Sequence, residues 1–211
     1  MLRKDFRMLK LEYLFENYEL AREALSLWEH DEDNLEEMLG YFRISSNAVY
    51  PFTREGRVCF LRLAPVGEKA ETDVRGELEF IRYLLKEGYP ALRPVRSLSG
   101  EDMVVADTGF GRYFACVFEK VDGVEISEAG YGREVMYAYG RALGRLHALS
   151  SGYVPAVRKQ GHKEILERIR RTLEEYGGCR EAFTELAAVE RELGRLPVTT
   201  ENYGLVHYDF E

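Results

Sequence analysis

The chain has 211 residues, of which 45% are hydrophobic, and its formal net charge is -8. This composition supports one large globular domain or two small lobes with a buried core, and the acidic balance argues against nucleic acid as the main partner. The cysteines, Cys59, Cys116 and Cys179, are far apart and form no CxxC pair, which favours reduced thiols and indicates neither a disulfide framework nor a zinc site.

Charged residues interrupt every apolar stretch near the N-terminus, among them Lys10, Glu12 and Glu16. The hydrophobic segment of a signal peptide does not fit there, and later apolar runs are shorter than a membrane span. We therefore expect a cytoplasmic protein with no membrane partner.

Apolar residues recur from position 14 to position 28 at alternating spacings of four and three, which predicts an amphipathic helix. A short second helix is expected over residues 35–39, and it ends at Gly40.

Three runs rich in aromatic and branched residues follow, at positions 41–44, 48–52 and 58–63, and each is typical of a β-strand. The turn residues between them favour an antiparallel meander.

Helical spacing returns over residues 74–85, with Asp73 as the expected N-cap and Gly88 marking the end. Two more strands, residues 103–106 and 113–118, are separated by turn residues that favour a hairpin. The first half of the chain thus predicts five strands and one inserted helix.

Beyond Lys120 only helical patterns occur, at positions 136–146, 165–173 and 186–193. Strands first and helices afterwards indicate an α+β fold of two lobes. Residues 1–119 would form N-terminal helices and a sheet-containing N-lobe, and residues 120–211 a hinge and a helical C-lobe.

An apolar run near the end of the chain leads into His207, Tyr208 and Asp209. Upstream, in order, lie a sheet, a basic residue on its third strand, Arg62, and an acidic residue on the next helix, Glu77. This order resembles the aminoglycoside phosphotransferase and choline kinase family, small-molecule kinases with a protein-kinase-like fold. The resemblance implies an antiparallel five-stranded N-lobe and a helical C-lobe.

The resemblance implies a catalytic role for Asp209, which would accept or orient the proton of the acceptor hydroxyl. His207 would brace the same loop through hydrogen bonds. Tyr208 stands where protein kinases have Arg, and this shifts the expected substrate toward small alcohols.

The same resemblance implies that Arg62 points at the nucleotide phosphates and is held by Glu77. Glu79 is the nearest competitor, but residues two apart on a helix do not share a face. Each residue alone would be an ordinary surface side chain, whereas their joint spacing favours a pair. We expect this pair to share a cleft with Asp209.

The segment S-S-N-A-V-Y, at positions 45–50, is similar to a hairpin of this family. That hairpin stands where protein kinases have a glycine-rich loop. Its Ser46 and Asn47 would meet phosphate oxygens, with a plain β-turn as the alternative. Phe118, Glu119 and Val121 resemble the hinge, where backbone groups read the adenine edge.

A G-x-x-L-G-x-L-H pattern ends at His147. A histidine on the apolar face of a helix is more often a hydrogen-bonded core residue than a catalyst, and we interpret His147 in that way.

ATP and Mg²⁺ are the cofactors that the resemblance implies. The family's magnesium ligands, an Asn and a further Asp, would lie beyond Glu211, so no metal ligand is predicted among these residues. We therefore expect the 211-residue chain to be inactive by itself. Its C-lobe would be incomplete, with uncovered apolar faces that favour self-association.

The sequence thus favours an ATP-dependent phosphotransferase acting on a hydroxyl of a small molecule, such as an aminoglycoside, choline or homoserine-like acceptor. Two alternatives stay open. One is a Ser/Thr protein kinase of the same fold, and the other is a non-catalytic nucleotide-binding fragment resembling a pseudokinase.

Overall fold

A computed structural model describes residues 18–199 and 202–205 of the chain. The chain divides into two compact units, and the division in the sequence falls between Tyr131 and Gly132. The first unit therefore extends about a dozen residues beyond the end of the sheet. The predicted boundary between the N-lobe and the hinge, at residues 119 and 120, stays a prediction.

The first unit is a sheet with helices on both faces. Its described elements, in chain order, are α1 (Tyr18–Leu25), α2 (Leu35–Gly40), β1 (Arg43–Ile44), β2 (Ala48–Arg54), β3 (Arg57–Pro65), α3 (Glu71–Lys86), β4 (Pro94–Val95), β5 (Met103–Thr108), β6 (Gly111–Glu119) and α4 (Ile126–Ala129).

The six strands of the sheet pair antiparallel throughout. The order is β1-β2-β3-β6-β4, and β5 also pairs with β6. The predicted meander and the predicted β5–β6 hairpin are confirmed. The predicted number of five strands is wrong, because β4 pairs with the end of β6 at Val117 and Phe118. A strand of two residues is too short to show a period in the sequence.

Helix α3 begins earlier than predicted, and its N-cap is Ala70, which makes no side-chain capping bond. The prediction of Asp73 as the cap is wrong, since its N–H already donates to the carbonyl of Ala70 inside the first turn. An acidic residue there is still favourable for the helix dipole. The predicted end is confirmed, because Gly88 has a left-handed φ of 69° and its N–H donates to Leu85.

The two faces of the sheet carry separate cores. Side chains alternate along a strand, so Leu61 and Leu63 point to the face covered by α1 and α2, where they are fully buried. The opposite face packs against α3 through Val74, Leu78 and Ile81. Arg62, between the two leucines, therefore faces α3.

The second unit consists of helices in the described range, namely α5 (Arg133–Gly152), α6 (His162–Tyr176) and α7 (Arg180–Arg195). Arg170 of α6 forms an ion pair with Glu190 of α7 at 2.5 Å. His147 is exposed, so its interpretation as a core residue is wrong. No residue of helix α6 is fully buried by the described residues, although several are half-buried.

Many large apolar side chains of this unit are exposed: Met136, Tyr137, Val154, Ile165, Ile169, Tyr176, Val189, Leu196, Val198 and Tyr203. Self-association through these faces stays a prediction. The described helices include none that is long and apolar enough to cross a membrane.

Trp28 joins the N-terminal segment to the sheet. Its side chain is buried, and its Nε1–H donates to the carbonyl of Val95 at 3.0 Å. We expect Trp28→Ala to lower the free energy of unfolding by about 3–5 kcal/mol, because it leaves a cavity and an unpaired carbonyl. Urea denaturation measures this change. The control is Leu98→Ala at an exposed position, and an equal loss in both variants would contradict the packing described here.

Candidate functional site

Arg62 lies in the middle of β3, on the face of the sheet that packs against α3. In the antiparallel register it stands between Val49 of β2 and Cys116 of β6. A charged side chain among strands on a covered face is costly unless a partner satisfies it.

Glu77 of α3 is that partner. Nη1 of Arg62 donates to Oε1 of Glu77 at 2.6 Å, and Nη2 donates to Oε2 at 3.0 Å. Two parallel N–H···O bonds of this kind are the strongest arrangement of an arginine–carboxylate pair. The contact that the sequence predicts is therefore present, while its role in nucleotide binding stays a prediction.

The surroundings of Arg62 keep it charged. Its side chain is 17% exposed, and its guanidinium carbon lies 5.0 Å from the centre of the Phe118 ring, within range of a cation–π interaction. Burial alone would lower the pKa of Arg62, but the hydrogen bonds and negative charge of Glu77 outweigh burial and raise it. Arg62 is thus a permanent, oriented cation.

The neighbouring thiol is inert. Burial raises the pKa of Cys116 to about 11, although the charge of Arg62 acts in the opposite direction. At neutral pH the side chain is a protonated thiol, which is a poor nucleophile.

Ser46 and Asn47 form the turn between β1 and β2, at the edge of the same region. Nδ2 of Asn47 donates to Oγ of Ser46 at 3.4 Å, and Nζ of Lys69 donates to Oδ1 of Asn47 at 2.6 Å. Lys69 belongs to the connection between β3 and α3. The structure therefore connects the hairpin to the strand–helix unit that carries Arg62 and Glu77.

Sequence reasoning missed Lys69. Burial lowers the pKa of its ammonium, and the nearby charge of Arg62 lowers it further. A lysine in a turn belongs to no periodic pattern, so its spacing in the sequence carries no signal. Only a search for basic residues flanking the third strand would have found it.

The predicted hinge residues differ in whether their backbone groups are exposed and free of hydrogen bonds within the protein. Phe118 is buried beside α3, and the N–H of Glu119 already donates to the carbonyl of Arg93 at 2.9 Å. Val121 is 60% exposed, and its backbone makes no hydrogen bond to another described residue. Of these three, Val121 is the residue whose backbone is open to a ligand.

His207 and Asp209 lie outside the described residues, so their predicted roles and the cleft shared with Arg62 stay predictions. Within residues 18–199 and 202–205, His, Cys, Asp and Glu side chains form no group of three or more suited to a metal ion.

An antiparallel sheet whose third strand is tied to the following helix by a cation–carboxylate pair defines the N-lobe of protein-kinase-like enzymes. Comparison with family models matches residues 43–211 to APH, the phosphotransferase enzyme family. The chain belongs to this family, as its sequence motifs predict.

Known relatives include small-molecule kinases. An amicoumacin kinase from Bacillus subtilis (strain 168) is 26% identical over 201 residues, which cover 93% of this chain and 58% of that protein. The solved structure of amicoumacin kinase hAmiN in complex with AMP-PNP, Ca²⁺ and Ami has a TM-score of 0.74 at 23% identity, over 95% of this chain and 60% of that one.

A microcompartment-associated aminopropanol kinase has a TM-score of 0.55 at 18% identity, over 69% of this chain and 45% of that one. The likeness to these structures confirms the predicted fold class. The chain spans less than two thirds of the length of these relatives.

The Arg62–Glu77 pair is expected to contribute more to stability than an exposed pair. We predict a coupling energy of about 1–3 kcal/mol from a double-mutant cycle with Arg62→Gln and Glu77→Gln, measured by chemical denaturation. The control cycle uses Arg75 and Glu71, an exposed pair on α3, for which about 0.3–0.5 kcal/mol is expected. Equal coupling in both cycles would show that the geometry at Arg62 contributes nothing extra.

The thiols are expected to react very unequally. Cys59 and Cys116 are buried, and burial raises the pKa of both, whereas Cys179 is exposed. Incubation of the folded protein with iodoacetamide at pH 8 should modify Cys179 alone, as read by mass spectrometry of peptides. Rapid modification of Cys116 without denaturant would contradict the burial described here.

Proposed function

We propose that this protein transfers the γ-phosphoryl group of ATP to a hydroxyl group of a small molecule. The observation that carries the proposal is the two-bond contact between Arg62 and Glu77, in a chain that belongs to a phosphotransferase family. A partly buried, permanently charged arginine oriented by a carboxylate is suited to bind the oxygens of a phosphate chain.

Arg62 would bind the nucleotide with donors that Glu77 leaves available. A guanidinium has five N–H donors, and the contact with Glu77 accounts for two of them. Ser46 and Asn47 would approach the phosphates from the β1–β2 turn, and the backbone of Val121 would meet the adenine edge. Phe118 would act indirectly, as the ring that packs against Arg62.

The reaction breaks the bond between the γ-phosphorus and the oxygen that bridges it to ADP, and it forms a phosphate ester with the acceptor oxygen. Asp209 would accept the proton of the acceptor hydroxyl, and His207 would hold the loop that carries Asp209. Positioning and charge provide most of the catalysis in such transfers.

A divalent ion would neutralise charge on the phosphates, as the resemblance implies for Mg²⁺. The hAmiN complex contains a nucleotide analogue and Ca²⁺, which supports the use of a nucleotide and a divalent ion in the family. The described side chains do not fit a metal site, so we assign none of them as a ligand. The acceptor is proposed only as a small alcohol of the aminoglycoside, choline or homoserine-like kind.

Isothermal titration with ATP tests the proposal. We expect the protein to bind ATP, and Arg62→Ala to weaken binding by about tenfold or more, because a charge-assisted contact is lost. Arg57→Ala, at an exposed position on the same strand, is the control and should bind like the parent protein. Melting temperatures of the variants distinguish a lost contact from a lost fold.

A parallel assay measures ADP release with a panel of amino alcohols and aminoglycosides. Turnover with a small alcohol would support the phosphotransferase and would contradict the expectation that the 211-residue chain is inactive by itself. ATP binding without turnover would agree with that expectation, and a nucleotide-binding module would give the same result. Absence of ATP binding would overturn the proposed function.

A further inference from the structure

The charge of Arg62 is largely matched within the protein. Both carboxylate oxygens of Glu77 accept a hydrogen bond from the guanidinium, so the two formal charges lie side by side and cancel. At the distance of an approaching anion, such a pair acts more as a dipole than as a cation. The pair holds the guanidinium of Arg62 in a fixed orientation, but it contributes little net positive charge.

Lys69 is different, because its hydrogen-bond partner is neutral. Its Nζ donates to the amide oxygen of Asn47 at 2.6 Å, and it forms no salt bridge with a carboxylate of the described residues. Glu77 and Asp73 attract it from a longer distance, yet burial and the repulsion of Arg62 outweigh them and lower its pKa. The ammonium is therefore partly desolvated without an adjacent counter-ion.

The position of Lys69 argues for a ligand. A lysine in a turn can extend into water at little cost, whereas a half-buried ammonium loses hydration that one neutral amide restores only in part. Here the side chain reaches the β1–β2 turn, next to the cation on β3. An anion bound between these elements would give the ammonium the direct charged contact that it lacks among the described residues.

We propose that Lys69 binds phosphate oxygens of the nucleotide, as a cation with no carboxylate of the described residues in salt-bridge contact, and that Asn47 positions its ammonium. This inference rests on the proposed function, because it names a residue of the same site. In this arrangement Arg62 orients the phosphate chain, and Lys69 attracts it electrostatically.

The test compares a charged nucleotide with its uncharged counterpart. ATP and adenosine are titrated calorimetrically without divalent ions into the parent protein, Lys69→Gln and Lys69→Arg. Glutamine keeps an N–H donor but has no charge, whereas arginine keeps the charge. Lys69→Gln should weaken ATP binding roughly tenfold and leave adenosine within about twofold, because only the phosphates meet the cation. Lys69→Arg should stay within about threefold for both.

Lys86→Gln, at an exposed position in the last turn of α3, is the control for the loss of one positive charge anywhere on the unit. Equal weakening of ATP by Lys86→Gln and Lys69→Gln would overturn the inference, as would equal weakening of ATP and adenosine by Lys69→Gln. If Arg62→Ala weakens ATP binding and Lys69→Gln does not, this inference fails and the proposed function stands. If the parent protein does not bind ATP, both fail.

Discussion

The paired hydrogen bonds between Arg62 and Glu77 constrain how α3 packs on the sheet. A cation on a covered face of the sheet must keep its partner, since removing one member of such a pair leaves an uncompensated charge. Helix α3 must therefore pack with Glu77 over β3, and its apolar residues Val74, Leu78 and Ile81 bury the rest of that face. The same contact that holds the helix also orients the guanidinium.

The opposite face of the sheet is covered by residues that precede the segment matched to the family model, which begins at residue 43. Helices α1 and α2 and the buried Trp28 complete the core there. The carboxylate of Asp31 accepts hydrogen bonds from the N–H groups of Glu55 and Gly56, each at 2.9 Å, in the β2–β3 turn. The site thus lies on strands whose position depends on both sides of the sheet.

The two basic residues of the site differ in the kind of group that each one contacts, and this difference determines the electrostatic role of each. Arg62 has a carboxylate partner and a raised pKa, while Lys69 has an amide partner and a lowered pKa. A rigid, compensated cation suits precise orientation of a phosphate chain. A desolvated cation without an adjacent carboxylate suits electrostatic attraction, because no anionic group in direct contact opposes its charge.

The sequence by itself determined the features that depend on neighbours along the chain, which are the period of strands and helices, the hairpin turns, and the end of α3 just before Gly88. It also indicated the Arg62–Glu77 contact and, through the His207–Asp209 motif, the family that the comparison with family models confirms. Only the tertiary structure decided the contacts that join distant residues without a periodic pattern. The two-residue strand β4 exists because β6 offers it a partner, and the contact of Lys69 with Asn47 exists because the fold brings two turns together. Such contacts depend on position in space, which a linear pattern does not contain.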